Sequence, residues 1–150
     1  MGGHLVEGVW YAEGYEPDDQ GRFVRQESKF RDWVGDQASA NYPIEAGRYH
    51  LYVSYACPWA HRTLIFRALK GLEDHVGVSV VHPDMLGNGW EFRTDFPGAT
   101  GDALHGARFL HEVYTRAEPR ASGRVTVPVL WDTAIDTIVS NESSEIIRMF

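Results

Sequence analysis

Cys57 is the one cysteine among 150 residues, in the run Cys57-Pro58-Trp59-Ala60-His61-Arg62, between a stretch that alternates like a strand and one that repeats like a helix. A helix start offers free backbone N–H groups and the positive end of the macrodipole, so a thiol there is expected to ionise readily and act as a nucleophile. A lone cysteine also serves as a small core hydrophobe, but the order strand, cysteine, proline, helix favours chemistry here. Ala60 stands where a C-x-x-C redox site has its second thiol. An internal disulfide is therefore impossible. A redox cycle at Cys57 must take its second thiol from outside the chain, glutathione being the cytosolic donor.

A second group of residues offers complementary chemistry. Glu142 and Ser143 lie where a hairpin pattern gives way to a helix, placing a carboxylate beside a hydroxyl and free N–H groups. Taken alone they are ordinary helix caps. Together with Cys57 they suit an amino-acid zwitterion, whose carboxylate would sit on the hydroxyl and N–H groups while Glu142 accepts from the ammonium. Between the two groups, Pro128 interrupts Val125-Thr126-Val127-Pro128-Val129-Leu130-Trp131, a run of strand composition. A proline cannot donate to a ladder, so it must stand at a strand edge or start, or form a cis bend. A cis bend facing Cys57 would present the backbone of Val127 to an extended peptide. Seven histidines show no familiar ligand spacing with each other or with Cys57, and no metal site is expected.

These residues need elements to hold them. Tyr49, Leu51, Val53 and Tyr55 alternate as a strand packed on one face. After Pro58, Leu64, Ile65, Ala68, Leu69 and Leu72 follow helical spacing, Arg62, Arg67 and Lys70 fill the other face, and Gly71 supplies a stop. Val76 to Val81 reads as a buried strand, completing a βαβ unit. The long connection from His82 to Arg124 contains Trp90 and a helix expected over 107–116, and a connection of that length is more often functional than passive. The expected strand over 125–131 pairs with Thr137–Ser140 as an antiparallel hairpin, and a helix opens at Ser140 to Glu145. Residues 1–47 read as an irregular extension wrapping the domain, anchored by Trp10, Phe23, Phe30 and Trp33. Trp59 is expected to pack, and His61 to be a helix-start residue rather than a base.

Composition sets the bounds. With 43% hydrophobic and 13% aromatic residues, the chain can bury one ordinary core. A formal charge of −7 without a basic run argues against a nucleic-acid surface. No apolar run reaches the ~20 residues that span a bilayer, and the N-terminus lacks the layout of a secretory signal. A single free thiol suits a reducing compartment, so a cytoplasmic location is expected.

Three stretches carry a specific resemblance: Gly47 to Arg62 around Cys57, Gly123 to Asp132 around Pro128, and Ser140 to Met149 around Glu142. Together the chain resembles the N-terminal, thioredoxin-like domain of glutathionyl-hydroquinone reductases, the Xi class of glutathione transferases. The resemblance implies an α/β fold with a mixed four-stranded sheet, a long N-terminal extension over 1–47 and a glutathione-binding domain over 48–150 that ends within its last helix. The stretch read here is expected to lack the C-terminal helical domain of that family. The family's function implies Cys57 as the catalytic nucleophile, Glu142 and Ser143 on the γ-glutamyl end of glutathione, and Val127, beside Pro128, offering backbone bonds to its cysteinyl part. Trp90 and Arg124 would close over the tripeptide. Glutathione would be co-substrate and glutathionyl-hydroquinones the substrates, and the resemblance leaves room for a homodimer. Two alternatives stand beside it: a glutaredoxin-like thiol transferase, and a glutathione-binding module that docks a partner.

Overall fold

A computed structural model describes residues 2–14, 19–21, 27–35 and 41–150. The chain runs β1 (His4–Val6), β2 (Val9–Tyr11), β3 (Tyr49–Val53), α1 (Pro58–Leu69), β4 (Val76–Val80), α2 (Leu110–Ala117), β5 (Gly123–Arg124), β6 (Val129–Asp132), β7 (Thr137–Ser140) and α3 (Ser143–Met149). The main sheet has the order β4-β3-β6-β7, with β3 parallel to β4 and antiparallel to β6, and β6 antiparallel to β7. Strand β3 is central, and Leu51 stands opposite Val78 on one side and Leu130 on the other. This is the mixed, thioredoxin-like sheet expected from the sequence. Among the described residues, no helix is long and apolar enough to cross a membrane.

Strand β3 departs from the expected one-faced pattern, because all five of its residues are buried. The connection after β4 covers the face that alternation would leave to water. There Tyr52 packs edge-on against Phe92 and Trp131, and its hydroxyl donates to Asp102 at 3.0 Å. Tyr55 falls beyond the strand and is 57% exposed. Helix α1 starts at Pro58, where the missing N–H costs nothing, and stops where Gly71 turns left-handed at φ +62° and donates to the Ala68 carbonyl at 3.0 Å. Its buried face is centred on Ala60 and Thr63, whose hydroxyl donates back to the Ala60 carbonyl. Ile65 and Leu69, expected on the apolar face, point outward, Leu69 with 75% exposure.

His50 on β3 is a buried titratable group. Its Nε2 lies 2.8 Å from Ser79 Oγ, and its ring occupies the space that a side chain on Gly77 of β4 would need. Burial pushes its pKa from 6.5 down to about 4. The unfolded chain takes up this proton below pH 6.5 and the folded chain only near pH 4, so the contribution is whole above pH 6.5 and is lost as pH falls through that window. The loss amounts to about 3 kcal/mol. Urea unfolding of His50→Gln beside the parent at pH 7 and 4.5 is expected to show a smaller fall in the variant.

The N-terminal extension is more ordered than expected. A hairpin pairs β1 with β2, Leu5 opposite Trp10, and β1 continues into a second sheet by pairing with β5, His4 opposite Arg124. Trp10 stacks on His111 of α2 at 4.7 Å and donates to the Gly87 carbonyl. Further along, residues 30–32 run beside β7, with Asn141 N donating to Phe30 O and Asp32 N to Val139 O, both at 3.0 Å. Phe30 meets Tyr114 edge-on and Arg148 lies over the Trp33 ring, as anchoring requires. Phe23 lies outside the described residues.

Candidate active site

Residues 2–7 and 27–30 of the extension flank a cavity of about 780 Å³. Cys57, Trp90, Arg124, Val127, Pro128, Glu142 and Ser143 all line it. The βαβ crossover delivers the cysteine, the β5–β6 connection delivers Val127 and Pro128, and the β7–α3 junction delivers the acid and the serine.

Cys57 is half-buried at the N-cap of α1, with its N–H on the Ser54 carbonyl and its own carbonyl accepting from His61 N at 2.9 Å. The side chain makes no capping bond. Its Sγ lies instead 3.6 Å from the Val127 carbonyl, to which the thiol donates. The sulfur is thus beside the helix end without closing it. The Val127–Pro128 peptide is cis, and Pro128 precedes the first residue of β6, so the ladder loses no donor. The sequence left edge, start and cis bend open; start and cis bend occur together.

At the opposite wall, Glu142 is the N-cap of α3 and Ser143 its first residue. Glu142 accepts from Ser144 N at 3.1 Å and Ser144 Oγ at 2.9 Å through Oε1, and from Ser28 Oγ at 3.0 Å through Oε2. Capping and cavity lining therefore coexist in one carboxylate. Ser143 is 3% exposed and accepts from Arg62 of α1. Trp90, expected from the resemblance to close over the tripeptide, lines the cavity while only 8% exposed, and its backbone carbonyl accepts from Leu110 N. Trp59 is half exposed beneath the Arg62 guanidinium rather than packed inside, and His61 is exposed.

Three participants escaped the sequence reading. Arg62 and Ser28 hold Ser143 and Glu142 across 81 and 114 residues, separations that carry no local signal. The third is Tyr114 of α2, which ties the walls together. Its hydroxyl donates to the Thr126 carbonyl at 2.9 Å and accepts from Thr126 N at 3.3 Å and Asn141 Nδ2 at 3.0 Å. Burial raises its pKa, so it stays protonated. Tyr114→Phe leaves buried donors on both walls unpaired and is expected to cost about 1–3 kcal/mol. Denaturant unfolding checks the loss, and calorimetric titration with glutathione is expected to show weaker binding.

Among the described residues, no group of three or more His, Cys, Asp or Glu side chains could hold a metal ion. A cysteine at a helix start, a cis-proline turn and a carboxylate–hydroxyl pair stand around one cavity on a thioredoxin-like sheet, the arrangement of a glutathione transferase N-terminal domain. Residues 56–150 match the sequence model of the glutathione S-transferase N-terminal domain, and the chain belongs to that family. Glutathionyl-hydroquinone reductase YqjG of Escherichia coli is 56% identical over 99% of this chain and 47% of its own length. Glutathionyl-hydroquinone reductase PcpF of Sphingobium chlorophenolicum is 49% identical over 98% and 46%. A Xi-class transferase from Natrialba magadii superposes with a TM-score of 0.86 at 54% identity, over 98% of this chain and 43% of that one. The glutathione-bound structure of YqjG gives 0.83 at 53% identity, over 97% and 44%. The chain spans about half the length of these relatives.

Proposed function

We propose that the protein is a glutathione-dependent reductase that removes glutathione from glutathionyl-hydroquinones. The observation that carries this reading is the Cys57 sulfur, set 3.6 Å from the Val127 carbonyl and facing the cavity that Glu142 and Ser143 line. The 48–150 domain holds the tripeptide, and the 1–47 extension supplies part of its wall. Glu142 and Ser143 take the γ-glutamyl end, the Val127 backbone before Pro128 takes the cysteinyl part, and Trp90 and Arg124 flank the ligand. The Cys57 thiolate attacks the sulfur of the conjugate and forms a Cys57–glutathione disulfide. The aryl carbon–sulfur bond breaks, its electron pair stays on the ring carbon, and that carbon takes a proton to give the hydroquinone. Free glutathione then attacks the mixed disulfide, releasing glutathione disulfide and restoring the thiolate. With Ala60 in place of a second thiol, nothing within the chain competes for the mixed disulfide. The net charge of −7 suits small-molecule substrates rather than nucleic acid, and the free thiol suits a reducing compartment such as the cytoplasm.

Intact-mass measurement after exposure to a glutathionyl-hydroquinone, without free glutathione, tests the first step. One glutathione on Cys57 for each hydroquinone released is the expected result. An adduct formed only from glutathione disulfide, with no hydroquinone released from the conjugate, would establish the thiol-transferase alternative instead.

A further inference from the structure

We infer that Arg62 is a positioning residue which fixes the Ser143 hydroxyl as a donor and so selects a carboxylate at that wall of the cavity. The inference rests on the reading of the cavity as a glutathione site and deepens it. Arg62 Nε lies 3.0 Å and Nη2 2.7 Å from Ser143 Oγ. A guanidinium only donates, whereas a serine hydroxyl has two acceptor sites and one donor proton. Both N–H groups reach the Ser143 oxygen from one side, which turns its lone pairs to the guanidinium and its proton away, so that Ser143 is set to donate. A ligand carboxylate satisfies it and an ammonium does not.

The fork is held in place. Its carbon lies 5.2 Å from the centroid of the Trp59 ring, and Nη2 is 3.9 Å from Glu142 Oε1. This explains why a tryptophan next to the nucleophile remains half exposed: its face supports the guanidinium. Glu142, already oriented by Ser28 and Ser144, is the acceptor beside this donor. The pair admits a zwitterion in one orientation, carboxylate on Ser143 and ammonium on Glu142. Lysine would keep the charge of Arg62 but lose the planar fork.

The test is calorimetric titration of the parent, Arg62→Lys, Arg62→Gln, Ser143→Ala and the Arg62→Lys/Ser143→Ala double variant, with thermal melting as a control for folding. Two ligands are used: glutathione, and γ-aminobutyryl-cysteinylglycine, which is glutathione without its α-carboxylate. Each Arg62 variant is expected to weaken glutathione binding about 10-fold, the loss of one charge-assisted interaction, and to leave the analogue within 2-fold. Arg62→Lys is expected to add no further loss to Ser143→Ala. Equal weakening of both ligands, or losses that multiply in the double variant, overturn the positioning role. Failure of the parent to bind glutathione overturns the glutathione reading itself.

Discussion

Cys57→Ser is expected to lower the turnover of a glutathionyl-hydroquinone by at least about 10³-fold while changing glutathione affinity no more than about 3-fold. A hydroxyl has the size of the thiol but is a far weaker nucleophile, and it cannot form the mixed disulfide through which both displacements pass. The polar groups proposed to hold glutathione lie on other elements, at α3, the cis-proline turn and the connection after β4, and the sulfur touches them only through its 3.6 Å contact with the Val127 carbonyl, to which a serine hydroxyl can also donate. Steady-state hydroquinone release and calorimetric titration separate the two quantities. Substantial turnover by the serine variant would move the nucleophile elsewhere, whereas a parallel loss of affinity would mean that Cys57 holds the ligand rather than attacks it.

Trp131→Ala is expected to be the most damaging single change to the fold, at about 3–5 kcal/mol, against a total stability of about 5–15 kcal/mol for a domain of this kind. Trp131 on β6 is wholly buried, edge-on to Tyr52 and to His105 at 5.1 Å. Its Nε1–H has no hydrogen-bond partner among the described residues, so Trp131→Phe gives up volume but no bond. Urea midpoints should therefore rank parent, phenylalanine and alanine in that order, with alanine well below. An alanine variant within 1 kcal/mol of the parent would show that the neighbouring rings collapse into the space.

What the sequence made legible was chemistry fixed by local order. Cys57 followed by Pro58 marks a helix start whatever lies around it, and an acid and a serine opening a helix mark its N-terminus. The strand-like run broken by Pro128 limits the proline to a few geometries. Whatever depended on distant segments was hidden. The period-two pattern of β3 cannot announce that its second face is covered by residues 92–105, some forty to fifty positions later. The apolar residues Ile65 and Leu69 suggested a buried face, but Thr63 bonds its own helix and is buried in their place. The strands of the β1–β2 hairpin have three residues each, too few for any periodicity to register. The partners of Glu142 and Ser143 come from the extension and from the outer side of α1, and spacing along the chain gives no warning of either.

The path of residues 30–32 along β7 has a bearing on solubility. A terminal strand offers a row of unpaired N–H and C=O groups that another chain can adopt as a template. Here the backbone of Phe30 and Asp32 occupies the outward groups of Asn141 and Val139. The extension therefore shields the sheet margin from self-association as well as framing the cavity. A version of the chain starting after residue 32 is expected to scatter light at concentrations where the full chain remains dispersed.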